Sequence, residues 1–179
     1  YNISKIDNNN FVLNCFLNEK EDYNFNENKT KIIQNIIDNL IEKFNYNEID
    51  SGIDKKIIEK NMTIILTSTQ NQKDNEDKNN ITMNLGGCEN ILKNKYNISK
   101  NSSLYMIQII SGEEEMKIPK VEYEIYYPLY NNNDLKKLDL SLCKGTKVEI
   151  SIAVKINDSL DKYNLSSGYY NDICSKTTS

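Results

Sequence analysis

Eight asparagines stand in N-x-S/T triplets, at Asn2, Asn28, Asn61, Asn80, Asn97, Asn101, Asn157 and Asn164. Each offers a side-chain amide that the secretory pathway could convert to an N-glycosyl linkage. Chance would place roughly three to four such triplets in a chain of this Asn, Ser and Thr content, so eight is a moderate excess over what composition alone produces. The chemistry these residues point to is modification, and the location it implies is extracellular or at the cell surface, with N-linked glycans as covalent partners.

The second reactive set is sulfur. Cys15, Cys88, Cys143 and Cys174 are far apart in sequence and form no C-x-x-C pair, which argues against a metal ribbon or a thioredoxin-like site. In an oxidising compartment an even count permits three full pairings, each closing long loops whose restriction contributes a few kcal/mol of stability.

Catalytic chemistry is narrowly bounded. The chain has no His, no Arg and no Trp, so Ser-His-Asp triads, Cys-His pairs, His-ligated zinc and arginine clamps on phosphate cannot be built within it. A glycosidase working with two carboxylates needs no His, but nothing in the sequence selects a pair. The acidic clusters Glu113, Glu114, Glu115 and Asp74, Glu76, Asp77 lack EF-hand spacing and read as solvated turns. Gly86-Gly87 precedes a helical pattern, yet the G-K-[ST] ending is missing and Cys88-Glu89 would set a carboxylate where phosphate binds. Tyr123, Tyr126, Tyr127, Tyr130, Tyr163, Tyr169 and Tyr170 are able to stack on sugars or stud an interface, with ordinary packing as the plainer reading. The formal charge of -4 speaks against a nucleic-acid partner, which requires a basic face. The expectation is a protein that is not an enzyme, with no catalytic residue, no metal and no cofactor.

The elements that would hold these residues follow from apolar periodicity. Phe11, Leu13, Cys15 and Leu17 alternate as a strand, and a polar stretch follows them. Ile33, Ile36, Ile37, Leu40, Ile41 and Phe44 form one helical stripe, with Asn28 or Thr30 as the candidate N-cap. Residues 61–69 are β-branched and strand-like, 71–80 read as an exposed loop, and 81–85 read as the returning strand of a hairpin. A short helix is expected over 88–96, a strand apolar on both faces over 104–110, and an alternating strand through Val121, Tyr123, Ile125 and Tyr127. Leu138, Leu140 and Leu142 alternate before a Lys144-Gly145 turn, so that with Val148, Ile150, Ile152, Val154 and Ile156 they predict a second hairpin. Residues 157–179 look irregular.

This order predicts an α+β fold: two helices packed on a mostly antiparallel β-sheet, with an N-terminal strand arm. Residues 1–27 read as the strand and a polar linker, and 28–179 as a single extracellular α+β domain. The linker is long enough for the strand either to fold back onto its own sheet or to fill an open edge in a second copy. Mean hydropathy is -0.65, but the apolar residues fall in separated periodic blocks, which argues against disorder. There is no initiator Met, no signal-peptide pattern and no apolar run near the length of a membrane span. The chain therefore reads as an interior or processed piece with no membrane span of its own.

The stretches LGGCENILKNKYNIS, MKIPKVEYEIYYP, LDLSLCKGTKVEISIAV and LDKYNLSSGYYNDIC, covering about residues 81–179, resemble a module of large cell-surface proteins of AT-rich single-celled eukaryotes. The resemblance implies an extracellular, Cys-containing, glycosylated segment of a longer protein, and no reaction. Cys88, Cys143 and Cys174 lie in the shared blocks. What the resemblance implies for pairing is a Cys88–Cys143 disulfide, with Cys15 and Cys174 as the remaining pair. The functional expectation is a structural or adhesive building block of a protist fibre or surface coat, assembled from copies of itself. A ligand-binding receptor ectodomain is the alternative, and a carbohydrate-active enzyme comes third.

Overall fold

The computed structural model of the chain describes residues 2–5, 10–17, 27–75, 81–112, 119–130 and 134–155. The isoleucine stripe forms helix α1 (Glu27–Glu42), whose Ile33, Ile37 and Leu40 are buried together with Phe44 just beyond it. The helix begins at Glu27, so Asn28 and Thr30 lie inside its first turn and neither is the N-cap. Residues before Ile33 contribute nothing to the apolar stripe, which leaves the starting turn unmarked in the sequence. A short helix, α2 (Tyr46–Asp50), follows, capped by the Asn45 side chain, which accepts from the Asn47 amide.

The strands divide over two sheets, all of whose pairs are antiparallel among the described residues. The first runs β1 (Asn2–Lys5), β2 (Asn10–Leu17), β9 (Val148–Lys155), β5 (Thr82–Asn84). The second runs β3 (Lys55–Glu59), β4 (Met62–Ser68), β6 (Tyr105–Ser111), β7 (Lys120–Leu129), β8 (Asp134–Lys137). Two further helices, α3 (Thr69–Asp74) and α4 (Gly87–Lys95), complete the α+β architecture. Residues 157–179 and the acidic Glu113, Glu114 and Glu115 lie outside the described residues.

Strand β6 explains the layering. Tyr105, Ile107 and Ile109 point to one face and join Ile33, Ile37, Leu40, Phe44, Ile49, Ile64 and Leu66 in a core beneath α1 and α2. Met106 points to the other, where Val121 and Ile125 meet Met83, Leu85, Leu92, Ile150 and Ile152 in a second core shared with the β5–β9 layer and α4. A central strand with both faces covered reads as a continuous apolar run, as expected for 104–110.

The N-terminal strand is paired within its own chain. Its partners on β9 run from Leu17↔Val148 to Asn10↔Lys155, and β1 adds a strand outside it.

Both expected hairpins are corrected. Residues 71–74, expected in an exposed loop, and Thr69, expected to end a strand, belong to helix α3, because Ser68 caps it by accepting from the Asn71 amide at 3.1 Å; residues 76–80 of the expected loop lie outside the described residues. The chain thereby leaves the second sheet, and β5 pairs with β9 instead of returning along β4. Likewise residues 140–143 form a 3-10 turn, not a strand. Asp139 accepts from the Ser141 amide at 2.9 Å to start it, while β8 pairs with β7 and β9 with β2 and β5. A period-two run of leucines is compatible with either shape, and the local cap selected the tighter one.

Candidate functional site

Three sequon asparagines have described side chains, and all three are exposed on turns: Asn61, Asn97 and Asn101. Asn61 sits in the two-residue connection between β3 and β4, closed by the Glu59↔Met62 pair. Asn2 opens β1 and Asn28 lies in the first turn of α1. Asn80, Asn157 and Asn164 lie outside the described residues, as does Cys174.

Asn97 owes its position to the end of α4. It has φ +52, the left-handed conformation that Asn adopts more readily than most residues. Its amide donates to Asn94 O at 3.4 Å and the Ile98 amide donates to Lys93 O at 2.8 Å. This is a Schellman ending, and its usual apolar contact is present, since Ile98 and Leu92 share one core. The middle residue of the sequon is therefore an anchor that turns Asn97 outward. Asn101 follows in a turn in which the Ser102 amide donates to Ser99 O at 3.1 Å.

Beneath this loop lies a polar cluster that sequence reasoning missed. Glu89, in the first turn of α4, accepts from Lys93 at 2.7 Å, from Lys73 at 3.3 Å and from the Thr69 hydroxyl at 3.1 Å. Glu89 is 8 % exposed and Lys93 6 %. Lys93 also donates to Lys100 O at 3.1 Å, next to Asn101. Thr69 Oγ1 accepts the Leu104 amide at 3.1 Å, and the Thr69 amide donates to Leu104 O at 2.9 Å. The ends of the loop carrying Asn97 and Asn101 are thus fixed by one buried carboxylate and its partners. Burial works to raise the Glu89 carboxyl, but Lys93 and Lys73 together outweigh it and hold it below its ordinary value. The readable signal was the i, i+4 spacing of Glu89 and Lys93 on a helix.

A second buried network ties α3 to both sheets. Gln72 Oε1 accepts from the Met83 amide at 2.9 Å and from Gln108 Nε2 at 2.7 Å, while Gln72 Nε2 donates to Thr67 Oγ1 at 3.2 Å. Asn71 Nδ2 donates to Ile49 O at 3.0 Å and to Asp54 at 2.7 Å. These residues belong to the stretch whose polarity suggested a solvated loop.

Cys88 and Cys143 form a disulfide, with Cα atoms 5.1 Å apart, that joins α4 to the 3-10 turn. Cys15 occupies the β2 position opposite Ile150.

Gly86 has φ +53, and a Cβ there would lie 3.1 Å from Lys147 O. The glycine therefore serves a close backbone approach at the start of α4. Among the described residues no group of Cys, Asp and Glu is arranged to hold a metal ion, and no helix is long and apolar enough to cross a membrane.

The described tyrosines of the β7 region mainly pack. Tyr126 is buried, Tyr123 and Tyr127 lean on the core shared by the two sheets, and exposed Tyr130 meets Tyr46 edge-on at 5.0 Å. Burial raises the Tyr126 phenol above its ordinary value, and its hydrogen bond to Glu124 adds to the rise. A phenol raised in the fold contributes stability that is complete below about pH 10, the unfolded value, and is lost as pH climbs through the folded one. Tyr126→Phe is accordingly expected to make the decline of stability above pH 10 shallower, approaching about 1.4 kcal/mol per pH unit. Denaturant titrations at several alkaline pH values would show it; slopes identical to the parent would contradict the linkage.

Comparison of the chain with protein-family models, with curated proteins and with solved structures finds no match.

Proposed function

We propose that the chain is an N-glycosylated, disulfide-stapled building block of an extracellular fibre or surface coat, structural or adhesive in role. Its second half resembles modules of large protist surface proteins, and this assignment follows that resemblance. The observation that carries the reading is the placement of Asn61, Asn97 and Asn101, each exposed on a turn. Turn asparagines of this kind are open to modification. The Cys88–Cys143 disulfide supports an oxidising compartment.

A structural role rather than a catalytic one is supported by the state of the buried charges. The Glu89 carboxylate is occupied by Lys93, Lys73 and Thr69. Groups so paired hold a surface in place and are not poised for proton transfer to a substrate. The partners proposed are N-linked glycans and further copies of the chain. The net acidic charge offers no support for a nucleic-acid partner.

Intact mass of material from the native source, before and after glycosidase, tests the assignment. A loss of mass equal to several glycans is the expected result, with Asn97 and Asn101 among the occupied sites. The bare polypeptide mass would end the glycoprotein reading. Electron microscopy of the same material should show a repeating assembly; isolated monomers would end the building-block reading while leaving the glycoprotein one intact.

A further inference from the structure

We propose that the glycan at Asn61 is an edge guard, which keeps the outermost strand of the second sheet from pairing with the same strand of another copy. This rests on the glycoprotein reading above. Strand β3 is an outer strand, hydrogen-bonded to β4 on one side only among the described residues. Among the described residues no strand pairs with its other side, and an open strand side presents backbone N–H and C=O groups, the usual template for edge-to-edge association. Two of its five residues are isoleucines, and one of them is left uncovered. Ile58 is 70 % exposed, and Ile53 just before the strand is 59 % exposed. Ile58 shares its face with Thr63 and, one register step along, with the half-buried Ile65 opposite Lys56. An isoleucine in that position would gain by meeting a copy of itself across an antiparallel edge pairing.

Protein edges of this type are normally blunted by charge, by shortness or by a covering element. Two of the other outer strands follow that rule: β5 has only three residues, and β8 carries Lys136 and Lys137. Strand β3 has Lys55, Lys56 and Glu59, of mixed sign. What distinguishes β3 is an uncovered isoleucine together with a sequon at the strand's end. Asn61 lies three residues beyond Ile58 in the turn that closes the strand, so no more than roughly 10 Å separates them, within the sweep of an N-glycan core. Strand β1, one of the two outer strands of the first sheet, likewise begins with a sequon at Asn2.

The occupant of the edge is thus a glycan in the modified chain and a second copy of β3 in the unmodified one. The test uses the whole chain secreted from a glycosylating eukaryotic host, with site occupancy read from intact mass and association from sedimentation velocity. N61Q should associate at a concentration at least tenfold lower than the parent. N97G/N101Q removes two glycans away from the edge, with glycine suited to the left-handed backbone at position 97, and should behave as the parent does. Adding I58K to N61Q should reverse the association. Enzymatic trimming of the folded parent gives the same reading without a substitution. If Asn61 is occupied and N61Q associates no more readily than the parent, or no more readily than N97G/N101Q, the edge guard is wrong and the glycoprotein reading stands. If Asn61 carries no glycan, the functional reading fails at this site and the edge guard fails with it.

Discussion

Replacing Cys88 and Cys143 together by Ala is expected to lower stability by about 4 kcal/mol, the chain-entropy value for a loop of this length. The sequence separation is 55 residues. Such a loop encloses β6, β7 and β8, so the unfolded chain regains much freedom when the bridge is lost. Both sulfurs are buried in the core shared by the two sheets, and Ala leaves no unpaired polar atom there, which keeps the loss close to the entropic figure. For a domain of this size the melting temperature should fall by roughly 8 to 16 °C. Calorimetry of the double variant against the parent measures it. A shift within two degrees would mean that the disulfide restrains nothing that the fold does not already restrain.

Glu89→Ala should be comparably damaging, by about 3 to 5 kcal/mol, because it strands Lys93 without its carboxylate in a buried site. The pairing distance is 2.7 Å, and the same carboxylate also holds Lys73 and the Thr69 hydroxyl. Replacing the pair together, as Glu89→Leu with Lys93→Met, removes both charges at once and is expected to recover most of the loss. If the double variant is as unstable as Glu89→Ala, the cost lies in the lost packing or in Thr69, not in an unpaired ammonium. The pH dependence provides a second check. Since the Glu89 carboxyl is held below its ordinary value in the fold, its contribution is fully present above the unfolded value of about 4.5 and disappears as pH falls through the folded one. Glu89→Gln should therefore flatten the acid side of the stability curve. Hydrogen exchange offers a local view: the amides of Ile98 and Leu104, whose acceptors sit at the two ends of the loop, should lose protection first in Glu89→Ala.

Much of the scaffold was legible from alternation and helical spacing. The strands β2, β7 and β9 and the helices α1 and α4 fall where apolar residues recur at period two or at helical spacing, while β4 showed as a β-branched run and β6 as a run apolar on both faces. Strand β3, with Lys55, Lys56 and Glu59 around two isoleucines, and β8, with Asp134 and two lysines, carried too little apolar contrast to stand out. Both are outer strands, where charge is favoured over burial. Helix α3 was hidden for the opposite reason. Thr69, Asn71 and Gln72 are buried, but each satisfies its polar atoms with partners far away in sequence, and no one-dimensional pattern distinguishes such a residue from a solvated one.

By itself the sequence determined the α+β class, the positions of the longest strands and the helices that bury an isoleucine stripe or end on an asparagine turn, and the eight places where an N-glycan could attach. These depend on properties of neighbouring residues: which face is apolar, which hydroxyl follows which amide. Only the tertiary structure decided that the strands divide between two sheets, that β5 leaves β4 for β9, that residues 140–143 curl into a turn capped by Asp139, and that Glu89 gathers Lys93, Lys73 and Thr69 beneath the Asn97–Asn101 loop. Each of these is a choice of partner. An apolar face needs some other apolar face, and a buried carboxylate needs some cation; which one it meets is settled by the packing of distant segments, whose energies no local window contains.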